Sequence, residues 1–229
     1  MEVVFTYIPI RKKYPAETYL AYSIENLNNQ NVIPILYSDK DYLCKTNLKY
    51  KWVKLDESEY KMKGYNLWSY PKLKVLSTID FPFIHLDNDL IVDDFSKLKS
   101  IIDTNKLNLA YKHPLSKAQT NSCTEIYKRY SNIPLDFEEL NNTCVIASND
   151  YLNINKAYSD VIKIIDENFD FFIERYDGIP PITLNQQYVN LYFNDINYLY
   201  DKNPSVEDIK QNGILHLAEK NLVNLSSTI

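Results

Sequence analysis

One stretch constrains the fold more than any other: FPFIHLDNDLIVDD, residues 81–94. An apolar run (Phe81, Phe83, Ile84, Leu86) leads into Asp87, Asn88 and Asp89, then resumes with Leu90, Ile91 and Val92. Apolar residues in a row, without alternation, predict a strand buried on both faces of a parallel sheet. Carboxylates at the end of such a strand are costly to bury unless paired or metal-bound. In open α/β sheets the ligand crevice lies at the carboxyl ends of the strands. Side chains of a strand repeat every two residues, so this reading puts Asp87 and Asp89 on one side of the chain. Two oxygen ligands there suit a hard divalent cation that takes substrate phosphates as further ligands. The competing reading is an acidic surface turn, since D-x-D is short enough to arise by chance.

The flanking sequence supports the buried-strand reading. Glu2–Ile8 reads as a first buried strand, ended by Pro9. Helical spacing of Ala16, Tyr19, Leu20, Ser23, Ile24 and Leu27 predicts a helix over Ala16–Asn29. Val32–Tyr37 reads as a second buried strand and Tyr50–Leu55, which alternates, as an outer third. A helix over Leu67–Thr78, with Pro71 near its start, precedes the Asp-bearing strand. Residues 1–95 thus read β-α-β-β-α-β, a nucleotide-binding half of an α/β fold. Residues 96–229 are less regular. Strands are expected at Leu107–Lys112, Thr143–Ser148, Ile196–Tyr200 and Ile214–Ala218, a helix at Asp150–Glu167, and a short helix at Leu184–Phe193. No repeat, low-complexity tract or Gly/Ser linker interrupts the chain, so one continuous domain over 1–229 is expected.

Composition excludes several classes. The 229 residues, 45% hydrophobic, form a globular rather than a disordered chain. No apolar run reaches the roughly 20 residues of a membrane span, and the N-terminus has its charges after its apolar residues, unlike a secretory signal. Three cysteines without ligand spacing (Cys44, Cys123, Cys144) argue for a reducing compartment, hence a cytoplasmic location. Residues 1–75 hold 12 Lys and Arg against 8 Asp and Glu, and the rest 13 against 22. That balance argues against a nucleic-acid partner. The Lys clusters (Arg11, Lys12, Lys13; Lys45, Lys49, Lys51, Lys54) read mostly as solvated faces, with peripheral contact to an anionic lipid surface as the alternative. With only 3 glycines there is no Gly-rich phosphate cradle, neither G-x-x-x-x-G-K-[ST] nor G-x-G-x-x-G. Phosphates would have to be met by a metal and cationic side chains.

These residues resemble the GT-A-fold glycosyltransferases, nearest to the glycogenin-like and bacterial lipopolysaccharide galactosyltransferase group. FIHLDNDLIV resembles that family's D-x-D strand, which implies Mn²⁺ or Mg²⁺ on Asp87 and Asp89. Tyr70-Pro71-Lys72-Leu73 resembles the helix whose cationic residue contacts the donor, which implies that role for Lys72. Asn142-Thr143-Cys144-Val145 resembles an Asn-x-Gly-Val strand whose Asn touches the donor sugar, with Cys144 in place of Gly. Asn185-Gln186-Gln187 stands where the family has an Asp-Gln-Asp-like turn, both acids being replaced. His216 and Lys220, in ILHLAEK, resemble a C-terminal metal-binding His and a diphosphate-binding Lys, at a shortened spacing. The resemblance implies a single GT-A-like domain with a mostly parallel central sheet flanked by helices, Rossmann-like in its first half and mixed in its second.

The expected reaction is glycosyl transfer from a nucleoside-diphosphate sugar, UDP-sugar favoured, to a glycan, lipid-linked or protein acceptor. Asp87, Asp89 and His216 are the candidate metal ligands. Thr6, Tyr7, Asp39, Lys72, Asp87, Asn142 and Lys220 are the candidate donor contacts. Tyr7 has an alternative as a packing ring, His216 as a satisfied core residue and Lys220 as a surface lysine. His85 and His113 read as structural. Gln186 or Gln187 would line the sugar if configuration is retained, whereas an inverting enzyme needs a carboxylate base, for which Glu174, Asp177 and Glu138 are candidates. Two other classes stay open: a sugar nucleotidyltransferase, which the glycine-free Pro9-Ile10-Arg11-Lys12-Lys13 counts against, and a non-catalytic nucleotide-sugar-binding module, which Asn185 and Gln187 favour.

Overall fold

The computed structural model describes residues 1–9, 16–67, 69–129, 135–174, 184, 186–200 and 214–216. A seven-stranded sheet forms the centre. Its strands are β1 (Glu2–Tyr7), β2 (Ile35–Ser38), β3 (Lys51–Lys54), β4 (Phe83–Leu86), β6 (Leu107–Pro114), β7 (Glu139–Ser148) and β8 (Ile196–Tyr198). They lie in the order β3-β2-β1-β4-β7-β6-β8. β1 pairs in parallel with β2 and β4, β2 with β3, and β6 with β8. Only β7 runs against its neighbours β4 and β6. The sheet is therefore mostly parallel, as expected, with its one reversal beside the Asp-bearing strand. A second, two-stranded antiparallel sheet joins β5 (Leu90–Val92) to β9 (Ile214–His216).

Alternation along the central strands fills two cores. Val3, Phe5 and Tyr7 of β1, with Ile84 and Leu86 of β4, pack on Leu20, Ile24 and Leu27 of α1 (Ala16–Asn29) and on Leu98 of α4 (Phe95–Ile101). Val4 and Phe83 face the other way. They pack on Leu73 and Leu76 of α3 (Tyr70–Leu76) and on Ile154, Tyr158, Val161 and Ile165 of α6 (Tyr151–Glu167). Every residue of β4 is buried, which is why the strand is apolar up to Asp87 but for the enclosed His85. β3 is the opposite case. It ends the sheet, all four residues are exposed, and lysines flank its Trp52-Val53 centre, a pattern that discourages pairing with another chain.

Several boundaries differ from the sequence expectation. β2 begins at Ile35 rather than Val32, because Pro34 has no N–H to give to a ladder. α3 is shorter than Leu67–Thr78, starting where Pro71 can occupy its first turn. Asp87-Asn88-Asp89 do not continue a strand: the Leu90 N–H donates to the Asp87 carbonyl (3.1 Å), closing a turn. The argument from strand periodicity for the two carboxylates is thereby corrected: they flank Asn88 in a tight turn. The expected helix at Leu184–Phe193 is α-helical at Leu184 and at 186–188 and tightens into a 3-10 turn at Val189–Leu191. Four helices were not foreseen: α2 (Glu57–Tyr60), α4, α5 (Lys117–Arg129) and α7 (Phe169–Glu174). α5 buries only Ser122, Cys123 and Ile126, too few apolar residues to mark a helical stripe. No helix among the described residues is long and apolar enough to cross a membrane.

Candidate functional site

The turn after β4 is pinned from three sides. The Asp87 N–H donates to the Cys144 carbonyl (2.9 Å), carrying the β4–β7 ladder one step beyond the strand. From α1, the Ser23 hydroxyl reaches the carbonyls of Leu90 (2.5 Å) and Asn88 (3.2 Å). The Asn88 amide donates to the Thr6 carbonyl at the end of β1 (3.1 Å). Main-chain positions 87–90 are thus fixed by contacts that leave the carboxylates of Asp87 and Asp89 at a partly exposed rim. Such fixed backbone is what a ligand-binding turn needs.

Lys72 enters from α3. Its ammonium lies 2.7 Å from Asp87 Oδ1 and 2.5 Å from the Thr143 carbonyl oxygen of β7. Two residues proposed separately from sequence are therefore one ion pair, with the Lys72 side chain only 15% exposed. The pair sits over buried groups. His85, on β4, is fully enclosed, and its Nε2 lies 3.1 Å from the Thr6 hydroxyl. Burial first, then the Lys72 charge, holds the His85 imidazole well below its ordinary value. Cys144, one residue beyond Thr143, has its thiol pushed well up by burial and by the Asp87 carboxylate. The Tyr158 phenol is raised by burial and then by Asp87. Three polar atoms around this turn are buried with no hydrogen-bond partner among the described residues: His85 Nδ1, Asn88 Oδ1 and Tyr158 Oη.

His85 carries a pH prediction. Its folded pKa is depressed, so the unfolded chain binds the proton more readily. Stability is level above the free-imidazole value of 6.5 and falls as pH drops below it, until the folded pKa is reached. The expected slope from this group is at most about 1.4 kcal/mol per pH unit. Urea titrations of wild type and His85→Gln between pH 7 and pH 5 check it: the variant should lose that part of the slope, and equal slopes would refute it.

The other expected donor contacts fall nearby. Tyr7 is 4% exposed and meets Tyr42 edge to face (centroids 4.9 Å apart), so its ring packs rather than offering an open face. Its phenol is pushed up to about 12 by burial, then by Glu17 and Asp39. Tyr42, which sequence reasoning did not single out, donates to Asp39 Oδ1 (2.8 Å) and carries the Lys40 ammonium 4.7 Å from its ring centroid. Asn142 is half-buried, and its Oδ1 accepts the Cys144 N–H (2.9 Å), leaving its amide NH₂ as the group to offer a ligand.

The two glutamines separate. Gln187 is committed to main chain: its oxygen accepts the Asp136 N–H (3.0 Å) and its nitrogen donates to the Asp136 carbonyl (2.7 Å). Gln186 is also buried, but its oxygen is unpartnered, and its carbonyl is held by Asn141 (2.9 Å). Asn141 also donates to Asn190 and accepts from Tyr198, tying β7 to β8 and to the 3-10 turn. Asn141 was not foreseen; adjacent Asn residues in a buried strand were the available signal. His113 is half-exposed at the far end of β6 and Glu138 is exposed next to β7.

β9 brings His216 to the turn. Its backbone pairs with Leu90, the residue after Asp89, and Ile214 pairs with Val92. The side chains of Glu174 and His216, and all of Asp177, Asn185 and Lys220, lie outside the described residues. Among the described residues no three His, Cys, Asp or Glu side chains form a metal-binding group, so Asp87 and Asp89 are the acidic pair from which such a group would be completed. Two cavities, of about 610 Å³ between α2 and α6 and about 440 Å³ near Lys106 and Asp195, lie apart from this turn.

No family sequence model and no curated protein matches the chain. Solved structures do. Mouse xyloside xylosyltransferase 1, in its apo form, superposes with a TM-score of 0.51 at 10% identity, over 96% of this chain and 98% of that one. An active-site glutamine-to-glutamate variant of LgtC superposes with a TM-score of 0.50 at 16% identity, over 86% of this chain and 72% of that one. The fold is GT-A. Similarity this distant establishes architecture and leaves activity to the site itself. In GT-A terms, the seven-stranded sheet is the central sheet, and the Asp87–Asp89 turn joins it to the small β5–β9 sheet.

Proposed function

We propose that this protein is a metal-dependent glycosyltransferase that moves a sugar from a nucleoside-diphosphate sugar, UDP-sugar favoured, to a glycan, lipid-linked or protein acceptor. One observation carries the reading. A lysine, two carboxylates and several orphaned buried polar atoms converge on a rigid turn at the carboxyl end of an interior strand. That is where open α/β sheets bind ligands. The chain has too few glycines for a backbone phosphate cradle, so side chains must hold the phosphates.

The donor set fits a hard cation. Asp87 and Asp89 supply oxygen ligands, and the pairing of His216 with Leu90 brings a third candidate alongside. Mn²⁺ or Mg²⁺ held there would supply Lewis-acid stabilisation of charge on the leaving diphosphate. The chain's own residues do the rest. Lys72 offsets diphosphate charge from a preset position, with Lys220 as a second candidate cation. Asp39, Tyr42, Thr6 and Tyr7, at the ends of β2 and β1, form the wall for the nucleoside. Asn142 offers its amide to the sugar. Gln186 is the better of the two glutamines for the face beneath the sugar, because its oxygen lacks a partner; LgtC likewise has an active-site glutamine. For an inverting reaction the base is sought among Glu138, Glu174 and Asp177.

Thermal denaturation with Mn²⁺ and each nucleoside diphosphate, followed by donor hydrolysis across UDP- and GDP-sugars, tests the proposal. The expected outcome is a rise in melting temperature needing both Mn²⁺ and the nucleotide, with slow hydrolysis of one donor class. Absence of a shift with every nucleoside diphosphate sinks it. Binding without hydrolysis or transfer would favour a non-catalytic nucleotide-sugar-binding module.

A further inference from the structure

We propose that the β3 edge docks on an anionic lipid surface, with Trp52 and Val53 entering the headgroup layer and Lys45, Lys49, Lys51 and Lys54 meeting lipid phosphates. Residues 45–54, KTNLKYKWVK, hold four lysines and no acid. The fold puts them on the outermost strand and on the loop that leads into it. The outer side of β3 pairs with no strand among the described residues. Every residue of β3 is exposed, as are Lys45 and Lys49. Three of the eight large apolar side chains exposed among the described residues gather here: Ile33 (47%), Trp52 (41%) and Val53 (37%). Apolar groups left in water together, beside charge of one sign, mark a binding face.

The edge is presented rigidly. Asn28 of α1 clasps the main chain of Lys49, its Oδ1 accepting the N–H (2.7 Å) and its amide donating to the carbonyl (2.8 Å). The Lys51 N–H donates to the Pro34 carbonyl (2.8 Å) and the Trp52 indole to the Ser38 hydroxyl (3.0 Å). The indole N–H is thus satisfied from within while much of the ring stays in water, which suits a tryptophan at a membrane interface. Lys51 faces Glu2 and Lys54 faces Asp56, each at 3.8 Å and between largely exposed side chains. Such pairs are weak and salt-screened, so they yield to a layer of lipid phosphates.

Side-chain alternation decides against a protein partner. Trp52 and Val53 are successive strand residues, so they stand on opposite faces of the sheet. A strand added in plane would continue the ladder and leave both in water. A second copy would also bring its own lysines against these. A headgroup layer entered edge-on covers both faces at once and supplies the negative charge. Docking does not rest on the transfer reading above. Where that reading holds, docking favours the lipid-linked acceptor. Strands β3, β2, β1 and β4 run parallel, so the Asp87 turn lies on the same rim as the end of β3, roughly 14 Å away by three strand spacings.

Flotation of the full chain with phosphatidylcholine vesicles, with and without phosphatidylglycerol, tests this. Wild type should float only with the anionic vesicles, come off in high salt, and shift its tryptophan emission to the blue. Lys45→Glu with Lys49→Glu, shown folded by circular dichroism, should partition about tenfold more weakly or worse. Trp52→Phe should lose the blue shift, leaving Trp68, the other tryptophan of the chain, as background. Docking at this edge is overturned if wild type ignores anionic vesicles or binds neutral ones equally. It is also overturned if the double lysine variant binds as wild type does, or if the blue shift survives Trp52→Phe. A shift produced by glycerol phosphate alone would make the edge a phosphate site instead. A dimer that the double lysine variant disperses in sedimentation would give it to a second copy. Donor hydrolysis, measured without vesicles, tests the transfer reading separately, so either can fail alone.

Discussion

Asp89→Ala is expected to abolish the Mn²⁺-dependent stabilisation by UDP and to lower sugar transfer by on the order of 1,000-fold or more, the scale seen when a preorganised electrostatic contact to the transition state is removed. The physical reason is the shortness of the donor set. On the proposed reading Asp87 and Asp89 are the two acidic ligands, and Asp87 is also paired with Lys72, so loss of Asp89 leaves a single shared carboxylate for the cation. A ligand present at 100 times its dissociation constant stabilises a protein by about 2.7 kcal/mol. For a chain of this size that is a melting shift of about 5–10 °C, which the variant should lack. The turn's main chain keeps its contacts from Ser23, Asn88 and Cys144 in the variant, and circular dichroism without ligand checks that the fold is retained. A variant that keeps the full Mn²⁺–UDP shift would remove Asp89 from the site.

Phe83→Ala is expected to cost about 4 kcal/mol of stability, within the range for deleting a fully buried aromatic ring. That corresponds to a fall in melting temperature of about 8–16 °C. Phe83 is wholly buried at the start of β4, between Glu2 of β1 and Ser148 of β7, and its ring belongs to the core under α3 and α6. Trp52→Ala, on the exposed edge strand, is the control; Trp52 keeps 41% of its surface in water and should cost about 1 kcal/mol or less. Urea denaturation of the two variants side by side measures the contrast. Similar losses would mean that β4 is not the central strand of the sheet.

Much of this organisation was legible in the residues, and for identifiable reasons. β4 announces itself because a strand covered on both faces must be largely apolar, and only His85 interrupts the run. α1 matches its expected span because Leu20, Ile24 and Leu27 keep one stripe against the sheet. α6 was legible for the same reason, and Asp150 caps it by accepting the Asn153 N–H. α5 was hidden because it buries so little. The geometry of the carboxylates was misjudged because a turn, not a strand, follows Leu86. What no reading of periodicity could supply is the Lys72–Asp87 pair. Helix and strand each carry their signal locally, whereas the contact depends on how α3 lies across the sheet. The same holds for the two adjacent glutamines, whose different commitments are decided by the distant Asp136 and Asn141.

The pairing of β9 with β5 has a consequence for how the molecule comes together. Leu90 and His216 are neighbours in space but distant along the chain, whereas the seven-stranded sheet is complete by Tyr198. A three-residue ladder gives little return on the entropy of ordering the segment that forms it. A nascent polypeptide that has emerged only as far as residue 200 would already own its seven-stranded sheet, yet lack the segment proposed to complete the cation's coordination. Competence would therefore arrive late in biosynthesis, and the same short ladder would be among the first pieces to open when the mature molecule breathes.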